Sequence, residues 1–368
     1  MREQDYMRRA ISLAKQGVPW ASPNPLVGAV IVKDGRVIGE GYHARCGEAH
    51  AERAALAACT EDPVGATVYV TLEPCCHQGR QPPCTQALIE SGVARVVIGS
   101  RDPNPKVAGR GIAQLRAVGI EVVEDVLREE CESLNRIFFH YITTKTPYAA
   151  LKYAITADGK LAARTGRSQW ITGKAARAHV HSLRSRYRAI LVGVGTVLAD
   201  DPLLNCRMEG GRDPVRVVLD SRLRTPLSAR VCQTAREQKT IFACAVENAE
   251  KCAQLRALGV EVLCLGGADG RVDWNALMKE LSAREIDSVL IEGGAEIQYS
   301  ALCAGVVQRL YAYVGAMLLG GAGAKSPVGG LGAPSPAEAF MLGAPEIGRF
   351  GRDVLLSYDV LTREKEAF

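Results

Sequence analysis

Over residues 1–125 the hydrophobic positions change period several times. Met7, Ala10, Ile11 and Ala14 recur at helical spacing across residues 4–16, and Gly17 and Pro19 end the pattern, which predicts an opening helix. Val27 to Lys33 and Arg36 to Tyr42 flank Asp34-Gly35, a pair that tolerates positive φ, and so predict two antiparallel strands joined by a tight turn. The alanine-rich run from His50 to Cys59 has a helical pattern, Thr67 to Thr71 reads as a strand, and Thr85 to Glu90 as a helix. Arg95 to Gly99 and Ile120 to Glu124 read as further strands, with a helix near Arg110 to Ala117 between them. This alternation predicts an α/β fold whose first unit has three layers, α/β/α.

Leu127 to Thr146 reads as a connector. A helix runs to about Asn135 and passes into Phe138-Phe139-His140-Tyr141, where the two phenylalanines suit core or interdomain packing better than a stacking platform. Thr143-Thr144-Lys145-Thr146-Pro147 then interrupts the pattern with turn formers, which places the boundary between domains 1–145 and 146–368. Beyond it, strands are predicted at Ala149 to Ile155, Arg188 to Val194, Val215 to Asp220, Thr240 to Ala245, Val260 to Leu265 and Ser288 to Ile291. Helical segments such as Lys174 to Arg186 and Val272 to Arg284 separate them. The result is a second, predominantly parallel sheet with room for a nucleotide outside the carboxyl ends of its strands.

Composition narrows the class of protein. The chain has 368 residues, 47% of them hydrophobic, enough for two cores. Its net charge of +5 is scattered and its aromatic content is 5%, which argues against a nucleic-acid platform and for small anionic substrates. Twelve cysteines dispersed through a large chain point to reduced thiols rather than a disulfide scaffold. Met1 to Tyr6 carry no apolar signal region, and the best apolar stretch, Leu310 to Gly323, is too short and glycine-rich to span a bilayer. A cytoplasmic protein is expected.

The strongest chemical signal runs from His50 to Cys84. His50-Ala51-Glu52, then Pro74-Cys75, then Cys84 gives one imidazole and two thiolates with a glutamate beside the histidine, the zinc-deaminase pattern. Such a set leaves the fourth zinc position open, as catalytic sites do, and makes hydroxide available near neutral pH. Glu52 would carry the protons without binding the metal. A closed structural zinc knot usually draws four ligands from two close pairs, and only the second half here is cysteine-rich. Because eight residues separate Cys75 from Cys84, Cys76 and His77 are rival ligands. Cys75 and Cys84 are favoured because Cys75 follows Pro74 at an expected helix start, while the intervening loop carries Gly79, Pro82 and Pro83.

In the second half, Ser288 to Glu292 is a strand running into Gly293-Gly294 and then a helix, an arrangement able to hold phosphate and equally what a tight turn would give. Gly193-Val194-Gly195-Thr196 after a strand carries the same two meanings.

A family resemblance joins these fragments. His50-Ala51-Glu52, Thr71-Leu72-Glu73-Pro74-Cys75 and Gly79-Arg80-Gln81-Pro82-Pro83-Cys84 resemble the deaminase half of the bifunctional riboflavin-biosynthesis deaminase/reductase family. Pro23-Asn24-Pro25-Leu26-Val27-Gly28-Ala29-Val30 is similar to its substrate loop. Asp102-Pro103-Asn104-Pro105 with Gly109-Arg110-Gly111 is similar to its later, phosphate-side loop. Gln81 and Cys76 depart from the threonine and serine usual there. Lys152 to Ala162, Trp170-Ile171-Thr172-Gly173, Gly193 to Pro202 and Glu292-Gly293-Gly294-Ala295 resemble the reductase half, and the likeness fades after about Ala322.

The resemblance implies a cytidine-deaminase-like domain followed by a dihydrofolate-reductase-like α/β domain, with one zinc ion in the first and NADPH in the second. It implies deamination of 2,5-diamino-6-(5-phosphoribosylamino)pyrimidin-4-one to the uracil, then reduction of the ribosyl chain to ribityl. Carried over by position, it puts NADPH near Ala154, Trp170, Thr196, Asp200, Ser221 and the run Gly294, Ala295, Glu296, Ile297, Gln298, Tyr299 and Ser300. It puts substrate near Ser168, Arg184, Leu204, Arg207 and Glu292. Arg184 and Arg207 suit a substrate phosphate, since guanidinium offers forked, charged hydrogen bonds. The family also implies a homodimer or higher homo-oligomer through the second domain. Arg188 and Gln308 stand where aspartate is common.

Two other readings compete. A deaminase acting on a base in nucleic acid would share the zinc core but should show a basic stripe or stacking aromatics. A zinc-stabilised interaction protein would leave Glu52 without a task.

Overall fold

The computed structural model describes residues 2–79, 81–321 and 323–361. Arg80 of the loop before Cys84 and Ala322, where the resemblance fades, lie outside them. The chain divides into two compact units, Met1–Lys145 and Thr146–Phe368.

The first unit runs α1 (Glu3–Ala14), β1 (Gly28–Lys33), β2 (Arg36–Tyr42), α2 (Ala51–Ala57), β3 (Thr67–Leu72), α3 (Cys84–Glu90), β4 (Arg95–Ser100), α4 (Arg110–Ala117), β5 (Glu121–Val123), α5 (Arg128–Leu134) and α6 (Arg136–Thr144). Its five strands lie in the order β2-β1-β3-β4-β5. β1 is antiparallel to both β2 and β3, while β3, β4 and β5 are parallel. Alternation along β1 gives the sheet two apolar faces. Ala29 and Ile31 pack with Ala51, Ala55, Leu88, Ile112 and Leu115 on one side, and Val30 and Val32 with Met7, Ala10, Ile11 and Leu134 on the other. Helix α2 comes unusually close to the hairpin. A Cβ at Gly41 would stand 2.4 Å from Ala55 N and 2.7 Å from Ala51 O, so only glycine fits there.

The connector is more helical than its sequence suggested. Asn135 breaks the helix because its buried amide holds Leu26 from both sides, accepting from Leu26 N at 2.8 Å and donating to Leu26 O at 2.9 Å. Residues 136–144 then form α6, where Phe138 and Phe139 are half-buried.

The second unit runs β6 (Tyr148–Thr156), α7 (Lys174–Arg186), β7 (Ala189–Gly193), α8 (Val194–Asp200), β8 (Val215–Leu219), α9 (Arg230–Gln233), β9 (Thr240–Cys244), α10 (Ala249–Ala257), β10 (Glu261–Cys264), α11 (Trp274–Ala283), β11 (Ser288–Glu292), α12 (Ala295–Cys303), β12 (Val307–Gly315), β13 (Glu346–Phe350) and β14 (Asp353–Asp359). The nine strands lie in the order β10-β9-β8-β7-β11-β6-β12-β14-β13, parallel as far as β12 and antiparallel through β14 and β13. Apolar clusters cover both faces: Ile241 and Ala243 of β9 join one, Phe242 and Cys244 the other. The last three strands were not among the predicted ones.

Candidate active sites

In the first unit the apolar strand β3 ends at Leu72 and hands the chain to Glu73-Pro74-Cys75, while His50 caps the start of α2 in an extended conformation. Cys84 is the first residue of α3, after Pro83. The helix starts there and not behind Pro74: residues 73–79 and 81–83 are irregular, which corrects the expected helix start at Cys75. These termini bring Cys75 Sγ within 3.5 Å and Cys84 Sγ within 3.4 Å of His50 Nδ1, and the three ligand atoms lie within 4.8 Å of one another. A tetrahedral zinc ion with bonds of about 2.0 to 2.3 Å holds its ligands at about this spacing. Among the described residues Cys76 and His77 are not part of that cluster. Cys76 Sγ turns to Lys106 O at 3.7 Å.

Charge at the site follows from burial and thiol pairing. A hydrogen bond from Cys84, helped by His50, holds the Cys75 thiol down at about 4, and the same contact with burial pushes Cys84 far up. Glu52, 3% exposed in the first turn of α2, is raised to about 7 by burial and by the Cys75 charge. A carboxyl so placed can take and return a proton near neutral pH.

Two residues to which the sequence assigns no role of their own, His43 and Glu73 of the Thr71-to-Cys75 motif, organise this centre. His43 Nδ1 donates to Ala49 O at 3.0 Å and its Nε2 accepts from Asn24 Nδ2 at 3.0 Å, tying the Pro23-Asn24-Pro25 loop to the residue before His50. Glu73, 3% exposed, accepts from Gly109 N at 3.0 Å, Gly111 N at 3.1 Å, Ile112 N at 3.3 Å and Asp102 N at 3.4 Å. It therefore anchors the 102–109 loop and the start of α4 beside Pro74-Cys75. An isolated histidine and a glutamate next to Pro-Cys were the only signals available, and neither carries a spacing rule.

In the second unit, β6 and β11 are adjacent and in register so that Lys152 faces Glu292. Lys152 Nζ lies 3.7 Å from Glu292 Oε2. Arg184, from the last turn of α7, also reaches Glu292 and donates to Asn205 O at 3.0 Å. Burial alone would raise the Glu292 carboxyl, but Arg184 and Lys152 outweigh it and hold it at about 2. Arg207 is exposed and lies against His181, with Nη2 3.1 Å from Nε2.

The other residues implied for cofactor and substrate fall into groups. Ala154 is on the C-terminal half of β6, Thr196 and Asp200 are in α8 after β7, Ser221 follows β8, and Gly294 to Ser300 follow β11. This is the carboxyl edge of a parallel sheet, where nucleotides bind. Gly293 and Gly294 have φ of 89° and 81°, and a Cβ at Gly293 would stand 3.0 Å from Thr196 Oγ1, so the starts of α8 and α12 lie side by side. Ser168 and Trp170 are exposed on the connection between β6 and α7, with the Arg177 guanidinium 4.2 Å over the Trp170 ring. Leu204 is in the core with Val218 and Phe242 and offers its backbone alone. Within α12, Gln298 is buried, Ser300 Oγ accepts from Trp274 Nε1 at 3.1 Å, and Glu296 accepts from Gly330 N at 3.0 Å. All twelve cysteines are free thiols, and no helix among the described residues is long and apolar enough to cross a membrane.

Comparison with known proteins agrees with this division. A family model described as the cytidine and deoxycytidylate deaminase zinc-binding region matches residues 1–100, and one described as the RibD C-terminal domain matches residues 147–356. The riboflavin biosynthesis protein RibD of Actinobacillus pleuropneumoniae is 53% identical over 98% of this chain and 96% of its own. That of Escherichia coli is 41% identical over 97% and 99%. Among solved structures, a diaminohydroxyphosphoribosylaminopyrimidine deaminase/5-amino-6-(5-phosphoribosylamino)uracil reductase from Thermotoga maritima has a TM-score of 0.85 at 41% identity, covering 98% of this chain and 99% of its own. Acinetobacter baumannii RibD has a TM-score of 0.86 at 36% identity with the same coverage.

Proposed function

The chain belongs to the RibD family of riboflavin-biosynthesis proteins, which joins a zinc-dependent deaminase to an NADPH-dependent reductase, and from that premise we propose how its residues divide the two reactions. His50, Cys75 and Cys84 hold the zinc, whose contribution when bound is a nucleophile drawn from water at neutral pH. Glu52 takes one proton that the water gives up and passes it to the pyrimidine ring nitrogen, then takes the second from the hydroxyl now on the ring carbon and delivers it to the departing ammonia, leaving the carbonyl. Asn24, fixed by His43, and the 102–109 loop, fixed by Glu73, line the entry for the phosphoribosylated diaminopyrimidine.

In the second unit NADPH, when bound, would supply the hydride that reduces the opened ribosyl group. Ala154, Thr196, Asp200, Ser221 and the turn from Gly294 to Ser300 receive the cofactor, with Trp170 and its arginine partner beside it. Arg184, Arg207, Ser168, the Leu204 backbone and Glu292 orient the substrate, and Lys152 shares the Glu292 charge. The protein works as a cytoplasmic homo-oligomer.

The observation that carries this reading is the meeting of three ligand atoms at the starts of α2 and α3, with Glu52 buried beside them. The test is a coupled assay on zinc-loaded protein with the phosphoribosyl diaminopyrimidine, following ammonia and NADPH absorbance together. Ammonia release followed by NADPH loss supports both halves, whereas ammonia without NADPH loss overturns the second.

A further inference from the structure

Cys244 and Cys264 end two neighbouring strands. β9 and β10 are parallel and pair these two residues directly, so both side chains leave the same face of the sheet. Their sulfurs are 3.2 Å apart, closer than two unbonded sulfurs rest, yet both are free thiols. Paired residues on adjacent strands are about 4.8 Å apart at Cα, inside the roughly 4.4–6.8 Å over which a disulfide closes. β10 is the edge strand of the sheet and Cys264 is exposed, while Cys244 is buried among Phe242, Cys252 and Leu255. One sulfur can be reached from solvent, and the other is buried beside it.

We propose that Cys244 and Cys264 form a redox-active dithiol, a modification site that closes to a disulfide by exchange with low-molecular-weight disulfides of the glutathione type. Cys264 loses its proton to solvent and attacks one sulfur of the small disulfide. That bond breaks, and the first small thiol leaves with a proton taken back from solvent. Cys244 then loses its own proton and attacks the Cys264 sulfur, expelling the second small thiol. Two protein thiols are oxidised and one small disulfide is reduced to two thiols. Burial pushes the Cys244 thiol up to about 12, so the closing step is slow at neutral pH and quickens as pH rises.

Closure acts on the cofactor edge. The amides of Ala245 and Val246, directly after Cys244, both donate to Ser221 O at 3.0 Å. Drawing the sulfurs from 3.2 Å to about 2.05 Å pulls on that run. This consequence rests on the reading of Ser221 as an NADPH contact.

The experiment equilibrates zinc-loaded protein in buffers of reduced and oxidised glutathione, then alkylates free thiols and maps peptides by mass. A Cys244–Cys264 cross-link in the wild type is expected, with Cys244→Ser trapping glutathione on Cys264 and Cys264→Ser leaving Cys244 reduced. The KM for NADPH should rise several-fold in the cross-linked protein, reverse on reduction, and leave ammonia release unchanged. Glutathione accumulating on wild-type Cys264 without a cross-link, or no reaction at either cysteine, overturns the site. A cross-link with an unmoved KM overturns its action on the reductase. Failure of the reductase reading itself shows separately, as no NADPH consumption in the fully reduced protein.

Discussion

The Arg184 guanidinium grips the Glu292 carboxylate through two parallel hydrogen bonds, Nε to Oε1 at 2.8 Å and Nη2 to Oε2 at 2.9 Å. Both side chains are largely buried, so the pair trades desolvation against charge attraction and depends on both partners being present.

Replacing Glu292 by glutamine leaves Arg184 and Lys152 without their shared counter-charge. The expected cost is about 3 kcal/mol, read as a lower urea midpoint at unchanged slope. Arg184→Lys keeps the charge but loses the fork, and should lower kcat/KM for NADPH consumption by about tenfold while ammonia release stays at wild-type level.

Acid should weaken the second unit in two stages. His181 is lowered to about 4 by burial and by the Arg184 and Arg207 charges, so the unfolded chain binds its proton first. Its contribution is complete above pH 6.5 and is lost as pH falls toward 4, and burial of His179 adds the same sign. Glu292, held at about 2 against an ordinary 4.5, contributes fully above pH 4.5 and loses that contribution below it. Denaturant midpoints measured from pH 7 to 5 should therefore decline before Glu292 begins to lose its contribution, and His181→Asn should flatten this upper part of the curve.

Glu52→Gln should cut ammonia release by about a hundredfold or more and keep stoichiometric zinc, as metal analysis would report. Chelation should abolish the same step. In both cases NADPH-dependent reduction of the already deaminated intermediate should continue, and a parallel loss would mean that the two units do not act independently.

Glu73 offers a test without touching a ligand. Its carboxylate meets four backbone N–H groups, and a glutamine would set a donor among them at a cost of about 2 kcal/mol. Gly111→Ala strains the same spot from the other side, since the new Cβ would be 2.3 Å from Pro74 O. Both variants should raise the KM for the diaminopyrimidine, and Gly111→Ala, which presses on the residue before Cys75, should also weaken zinc retention in a chelator competition.

Local chemistry was legible in the sequence, and long-range pairing was not. Asp34 and Gly35 turn with φ of 49° and 75°, as an Asp-Gly hairpin must. The turn-forming threonines after Phe139 misled because Thr143 and Thr144 return their hydroxyls to the carbonyls of Phe139 and His140 within α6, at 2.7 Å each. Strand β12 escaped because Arg309 interrupts its apolar pattern. That arginine is 4% exposed and pairs with Asp359 at 2.8 Å and Glu346 at 2.6 Å, partners supplied by two strands that come later in the chain. The zinc cluster was traceable through residue types, but the helix expected at Cys75 starts only at Cys84, after Pro83, because Pro74-Cys75 leads into an irregular loop that carries Pro82 and Pro83.

The contact between Gly41 and helix α2 gives the deaminase centre a sensitivity unrelated to its chemistry. His50 and Glu52 ride on a helix whose backbone rests on the backbone of the hairpin, with no side chain between them to absorb a change. A single methyl added at Gly41, on a strand that supplies no proposed ligand, has nowhere to go except into that helix. Loss-of-function substitutions in this unit should therefore cluster on the hairpin as well as around the metal, marking a second zone of intolerance whose cause is mechanical.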